Sequence, residues 1–165
     1  MRVLTWCLGV VLIYGGSVGY TLADPLSSDL GGDRKEVWQR DEHRLKIVTQ
    51  KGITHDFVVE LAITPEQQRR GLMFRTNLAH DAGMLFDFKE PRIISMWMKN
   101  TLIPLDMIFV DEAGRVVFIA ENTTPESTDI ISSSIPVRWV LEVYGGITSK
   151  LEIGDGDQLI GLNMQ

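Results

Sequence analysis

From Thr54 to Ile63 the side chains alternate, with Phe57, Val59, Leu61 and Ile63 on one face and Val58, Glu60 and Ala62 on the other. A period of two marks a β-strand with one face in the core. Residues 45–49 read as a shorter strand before it, and Gln50-Lys51-Gly52 turns the chain back to form a hairpin. Thr64-Pro65-Glu66-Gln67 then opens a helix. Threonine caps, proline suits the first helical position, and the glutamine three residues on completes a capping box. Arg69, Arg70 and Arg75 place positive charge in the C-terminal half, where the helix dipole favours it, and Leu72, Met73 and Phe74 are expected to face the sheet. No other substantial helix is predicted.

Strand patterns return after the loop 77–83. They cover residues 84–88, 92–98 after Pro91, and 105–110, which ends at the tight turn Asp111-Glu112-Ala113-Gly114. A further strand follows over 115–120. The polar stretch 121–136 is expected to be loop without an element of its own. Residues 138–143 form another strand, Gly145-Gly146 breaks it, one helical turn fits 147–151, and a last short strand covers 158–160. Many short strands divided by turns, with one helix, predict a mainly β fold, a β-rich α+β chain arranged as an antiparallel jelly-roll-like sandwich or a partly open barrel.

The first 23 residues lie outside this pattern. Arg2 is the only charge before Asp24, the stretch from Val3 to Tyr20 is apolar or small, and Thr21-Leu22-Ala23 offers small residues where a signal peptidase cuts. Residues 1–23 therefore read as a cleaved signal peptide, 24–42 as a flexible tether, and 43–165 as a single β-rich domain. A retained membrane anchor is the rival reading; Gly9, Gly15, Gly16, Ser17 and Gly19 dilute its hydrophobicity. The expected location is periplasmic or secreted, with no membrane association after cleavage. Cys7, the one cysteine of the chain, leaves with the leader, so the mature domain has neither disulfide nor thiolate. Removing Arg2 makes the formal charge of −6 one unit more negative. Nucleic acid is not an expected partner for so acidic a chain.

The chemistry concentrates between Ser95 and Val110, where Lys99, Asn100 and Asp106 interrupt a run that otherwise resembles protein interior. Buried polar groups must find partners, so these are either a structural knot or a site. By strand alternation Trp97 and Lys99 share one face, and Met96 and Met98 the other. Lys99 and Asp106, if carried on neighbouring strands, would meet beside the Trp97 indole. Glu142 is a second carboxylate in an apolar strand, with Arg138 nearby. Trp97, Lys99, Asn100, Asp106, Arg138 and Glu142 are thus the candidate binding residues. His43, His55 and His80 lack ligand spacing, so no metal or other cofactor is expected. Met73, Met84, Met96, Met98 and Met107 read as core filler, with a copper(I) thioether site as the rival. Ser132-Ser133-Ser134 lacks the surroundings of a nucleophile.

Several ordered motifs carry a resemblance. They are Gly71-Leu72-Met73-Phe74-Arg75, Gly83-Met84-Leu85-Phe86, Trp97-Met98-Lys99-Asn100-Thr101, Ile103-Pro104-Leu105-Asp106, Val140-Leu141-Glu142 and Ile153-Gly154-Asp155. On these the chain resembles the Domain of Unknown Function 192 family, also called uncharacterised protein family 0127, over residues 45–159. The resemblance implies a mostly β domain of jelly-roll type with a single helix, often exported, and no established activity. The loop 121–136 departs from the family pattern in lacking a cysteine near Ser134. The reading favoured by these observations is a non-enzymatic binding module of the cell envelope for a small polar or anionic ligand. The alternatives are a hydrolase using Asp106 and Glu142 as a carboxylate pair, and a structural or partner-docking domain whose protein partner is left open.

Overall fold

The computed structural model describes residues 43–161; the expected leader and tether lie outside the described residues. The first two strands are the expected hairpin: β1 (His43–Val48) pairs antiparallel with β2 (Thr54–Ala62). The alternation read from the sequence holds through Phe57 and Val59, which are buried. It fails at the strand end, where Ala62 is buried and Ile63 is exposed. Helix α1 (Pro65–Arg70) starts with the predicted box: Thr64 Oγ1 accepts from Gln67 N at 3.3 Å, and Gln67 Oε1 accepts from Thr64 N at 2.8 Å. It stops after six residues because Gly71 leaves helical geometry at φ +46°. Arg75 therefore lies beyond the helix, and Phe74, at φ +64°, is exposed instead of facing the sheet.

The strand after α1 corrects two expectations. First, β3 (Ala82–Arg92) lies parallel to β2, so the stretch holding α1 is a crossover and the sheet is not wholly antiparallel. Second, β3 runs through Pro91 instead of ending before it. Its pairing shifts register between Asp87 and Arg92, and Lys89 adopts φ +69°. A bulge of this kind removes the ladder bond that proline cannot make. The strand expected over 92–98 shrinks to β4 (Ser95–Met96), which pairs with β7 (Ile131–Ser132) inside the stretch expected to be bare loop. The remaining elements are β5 (Leu105–Val110), β6 (Val116–Ala120), β8 (Val137–Tyr144), the four-residue helix α2 (Ile147–Lys150) and β9 (Gln158–Ile160).

Seven strands form one sheet in the order β6-β5-β8-β3-β2-β1-β9. The sheet curls until its edges meet: Arg115, just before β6, bridges Gln158 of β9, and Leu159 N donates to Gly114 O at 2.7 Å. The protein is thus mainly β, in the manner of a partly open barrel. Inside the curl Leu45, Phe57, Val59, Ile108, Trp139, Leu141 and Val143 form one core. The other face of β3, β5 and β8 packs Phe86, Met107 and Val140 against Leu72, Ile94, Met98 and Ile103. The second and third strands of that order, β5 and β8, are consequently covered on both faces, which is why they read as nearly unbroken apolar runs. Among the described residues no helix is long and apolar enough to cross a membrane.

β3 approaches β8 closely at Gly83, since a Cβ there would lie 2.5 Å from the Glu142 carbonyl oxygen and 3.2 Å from Val143 Cγ1. A backbone oxygen inside a sheet cannot step aside. Gly83→Ala is expected to destabilise the domain by about 1–3 kcal/mol in urea unfolding; an unchanged midpoint would show that the strands separate freely there.

Candidate functional site

Glu142 sits in the middle of β8, opposite Met84 of β3 on one side and Met107 of β5 on the other. Three successive strands thus place two thioether side chains around one carboxyl on the face covered by the crossover. Only 4% of Glu142 is exposed. The cover is incomplete, and a hollow of about 310 Å³ opens over the carboxyl. Its walls are Leu72, Met73, Phe86, Phe88, Met96 and Trp97. Arg69, Arg70 and Trp97 are exposed and form the mouth, with Ser95 and Gln68 beside them.

The roof is held by specific contacts. Gly71 crosses close above the floor: a Cβ on it would lie 3.1 Å from Phe86 Cζ and 3.9 Å from Glu142 Oε2. Gln68 Nε2 donates to the Asp87 carbonyl at 2.8 Å, tying α1 to β3. Past the helix, Arg75 grips Glu60 of β2 with two parallel bonds of 2.6 and 2.5 Å, a fork-on-fork geometry that fixes direction as well as distance. Phe74 N donates to Asn100 O at 2.9 Å, which ties the loop after α1 to the turn after Trp97 along one rim. The crossover is therefore a fitted lid over Glu142 that leaves the hollow open to solvent.

Burial alone pushes the Glu142 acid up to about 8. Among the described residues no donor offsets that cost. The cations near the hollow are engaged at its edge: Lys99 lies 5.4 Å from the Trp97 ring centre, Arg92 lies 5.2 Å from that of Phe88, and Arg69 pairs with Glu66 at 2.9 Å. An apolar enclosure thus carries an acidic floor and a cationic mouth.

Asp106 has the opposite fate. It is fully buried, and its carboxylate accepts from Asn122 N at 2.7 Å, Gly146 N at 2.8 Å, Thr148 N at 2.8 Å and Thr148 Oγ1 at 2.6 Å. It pairs in register with Val143, whereas Glu142 pairs with Met107, so the two carboxyls leave the sheet on opposite faces. The carboxylate pair expected of a hydrolase is therefore not formed. The meeting of Lys99 with Asp106 is not formed either, because Lys99 lies on an exposed turn over Trp97. Asn100 serves the rim, offering its carbonyl to Phe74 and its side-chain amide to Met73 sulfur at 3.9 Å. Arg138 stacks over Trp139 at 4.5 Å and reaches Asp87 at 3.5 Å, four residues along β8 from Glu142, or roughly 13 Å at strand rise. Burial works against the Asp87 charge, yet Lys89 and Arg138 outweigh it and hold that carboxyl below its usual range.

Of the six candidates, Trp97 and Glu142 thus line the hollow, Lys99 and Asn100 support its rim, and Asp106 and Arg138 belong to the scaffold. Sequence reasoning missed the walls supplied by Leu72, Met73, Phe86 and Phe88, although two of the motifs that carry the family resemblance contain three of them. It also missed Asp157, which is buried and binds Gln50 N and Gly154 N at 2.9 and 2.8 Å. Among the methionines, Met84, Met98 and Met107 are buried in one core cluster, and Met73 and Met96 reach the hollow. Among the described residues no three His, Cys, Asp or Glu side chains gather as metal ligands.

The raised acidity constant has a thermodynamic consequence. An ordinary glutamate ionises near 4.5, and folded Glu142 ionises near 8. Between those values the folded chain holds a proton that the unfolded chain has lost, so stability falls as pH rises through this window and the loss is complete above it. Glu142→Gln removes the titration and keeps the shape. Relative to wild type, the variant is expected to gain on the order of 4 kcal/mol between pH 5 and pH 8.5 in urea unfolding. A difference independent of pH would mean that the acid has a partner or open water.

Two solved structures share this architecture. One is described as a "putative transcription regulator" from Sinorhizobium meliloti 1021, 48% identical, with a TM-score of 0.72 over 73% of this chain and 93% of that one. The other is a protein of unknown function from Novosphingobium aromaticivorans DSM 12444, 39% identical, with a TM-score of 0.70 over 72% of this chain and 84% of that one. No curated protein matches the chain. Residues 46–161 match the DUF192 family model, whose description is "Uncharacterized ACR". That span contains the crossover, the hollow and both buried carboxyls of β5 and β8, and the chain belongs to the Domain of Unknown Function 192 family.

Proposed function

We propose that this chain is an exported, non-enzymatic binding module of the cell envelope that holds a small polar ligand over Glu142. One observation carries the reading: a nearly buried carboxyl, lacking a donor among the described residues, faces a hollow of about 310 Å³. Leaving such a group unpaired costs the fold several kcal/mol, and a ligand donor recovers that cost on binding. The volume lies at the small end of ligand pockets, and apolar walls with a few convergent polar groups suit such a site. The cationic mouth favours a ligand with a negative outer end. A reaction is disfavoured because Asp106, the natural second carboxyl, faces away and is saturated with donors. The regulator description belongs to the Sinorhizobium protein, and a formal charge of −6 lends no support to nucleic-acid binding here.

A thermal-shift screen of polar metabolites tests the binding reading. A ligand at one hundred times its dissociation constant adds about 2.7 kcal/mol, so a true ligand is expected to raise the midpoint by roughly 5–10 °C. The rise should vanish in a Met96→Trp variant that fills the hollow. A broad screen without a single shift would count decisively against it. The export reading rests on residues 1–23, with their lone Arg2, apolar stretch and Thr21-Leu22-Ala23. Mass spectrometry of the chain recovered from its native host is expected to find Asp24 at the N-terminus, and an intact Met1 would refute cleavage.

A further inference from the structure

We infer that the hollow is built for a primary ammonium on a short apolar chain whose far end is anionic. The inference rests on the binding reading above and names the ligand class for that site. Three layers set the order of groups. At the bottom lies the Glu142 carboxyl, an acceptor 4% exposed and close beneath Gly71. Above it the walls are Leu72, Met73, Phe86, Phe88 and Met96, which offer packing and little else to a charge, with the buried Thr101 as the one polar side chain among them. At the mouth stand Arg69 and Arg70. A ligand matching these layers carries a donor deep, methylenes in the middle and a negative group outside.

The deep donor is an ammonium rather than a hydroxyl for an electrostatic reason. A hydroxyl offers one hydrogen and no charge, so the carboxyl stays protonated as burial demands. An ammonium brings three hydrogens and a full charge, and a short charge-assisted pair inside an apolar enclosure is the arrangement that lets a buried carboxylate ionise. The mouth supplies the other half. Two guanidinium groups repel a plain alkylamine, whereas a terminal carboxylate turns that repulsion into attraction. Both arginines already have a partner, which for Arg69 is Glu66 at 2.9 Å, but a guanidinium has five N–H donors and one partner does not exhaust them.

Proton linkage gives the inference its own signature. An ammonium over Glu142 pulls the acid below its unliganded value of about 8, so binding expels a proton at pH 6–7 and affinity rises toward pH 8. A ligand that accepts a hydrogen bond from the protonated acid shows the reverse trend. Calorimetry with four six-carbon probes decides the matter: 6-aminohexanoate, hexylamine, hexanoate and 6-hydroxyhexanoate. The expected result is binding of 6-aminohexanoate at least about tenfold tighter at pH 8 than at pH 6, with proton release into the buffer. Hexylamine, hexanoate and 6-hydroxyhexanoate should each bind at least tenfold more weakly than it. Glu142→Gln should abolish the pH dependence, and Arg69→Ala with Arg70→Ala should narrow the gap between 6-aminohexanoate and hexylamine. Preference for hexanoate or 6-hydroxyhexanoate, or affinity falling with pH, overturns the ammonium assignment and leaves a binding hollow in place. Binding of none of the four at millimolar concentration also overturns it, while the metabolite screen judges the binding reading separately.

Discussion

The structure turns on the burial of β5 and β8 from both sides. A central strand with apolar cover on each face has nowhere to put a polar side chain except against a dedicated partner. Asp106 and Glu142 lie on these two strands within one residue of the same register, yet they leave the sheet on opposite faces. On one face, the loop before Thr123 and the N-terminal turn of α2 close around Asp106 with backbone amides and the Thr148 hydroxyl. On the other, the crossover between β2 and β3 covers Glu142 with carbon and sulfur and stops short of complete closure.

This division assigns the two acids different work. Asp106 organises its surroundings: one carboxylate gathers Asn122 from a loop and Gly146 and Thr148 from the start of α2, a role that buried, fully bonded acids commonly play. Glu142 organises nothing within the described residues, and its burial opposes the fold above the ordinary pH of glutamate ionisation. A group retained at such a position weakens the scaffold, the pattern expected where binding rather than stability sets the residue. The surrounding fastening fits that reading. The Arg75–Glu60 fork, the Gln68 bond to β3 and the Phe74–Asn100 bond all hold the rim of the opening, not the interior of the core.

Much of the fold was legible in the residues because local signals agreed with the final packing. The period-two stretch at 54–63, the Thr64–Gln67 box and the apolar run at 105–110 each specify their own element. Legibility failed where tertiary pairing decided the outcome. Pro91 reads as a strand end, but a bulge beside Lys89 lets β3 continue. The parallel pairing of β2 with β3 depends on where the crossover lands, which six helical residues do not reveal. The site was half visible for the same reason. A charged residue in an apolar run announces burial, and this singled out Asp106 and Glu142 alike; which of them meets donors is settled by loops distant in sequence. Lys99 and Trp97 do meet, but on a turn after β4 and not on the strand face that alternation supposed, and the walls from Leu72, Met73 and Phe86 look like ordinary core until the lid is seen to have an opening.

The meeting of Arg115 with Gln158 has a bearing on how the domain behaves among its neighbours. A curled sheet would otherwise present two rows of unsatisfied amides and carbonyls, each a template onto which a foreign strand can zip. Here one row is latched to the other through Gly114, Val116, Gly156 and Leu159, and the outermost strand, β9, is only three residues long. Little ladder is left for a stranger to extend. Closure of the seven-stranded sheet thus removes a template for amyloid-like stacking, without any disulfide staple.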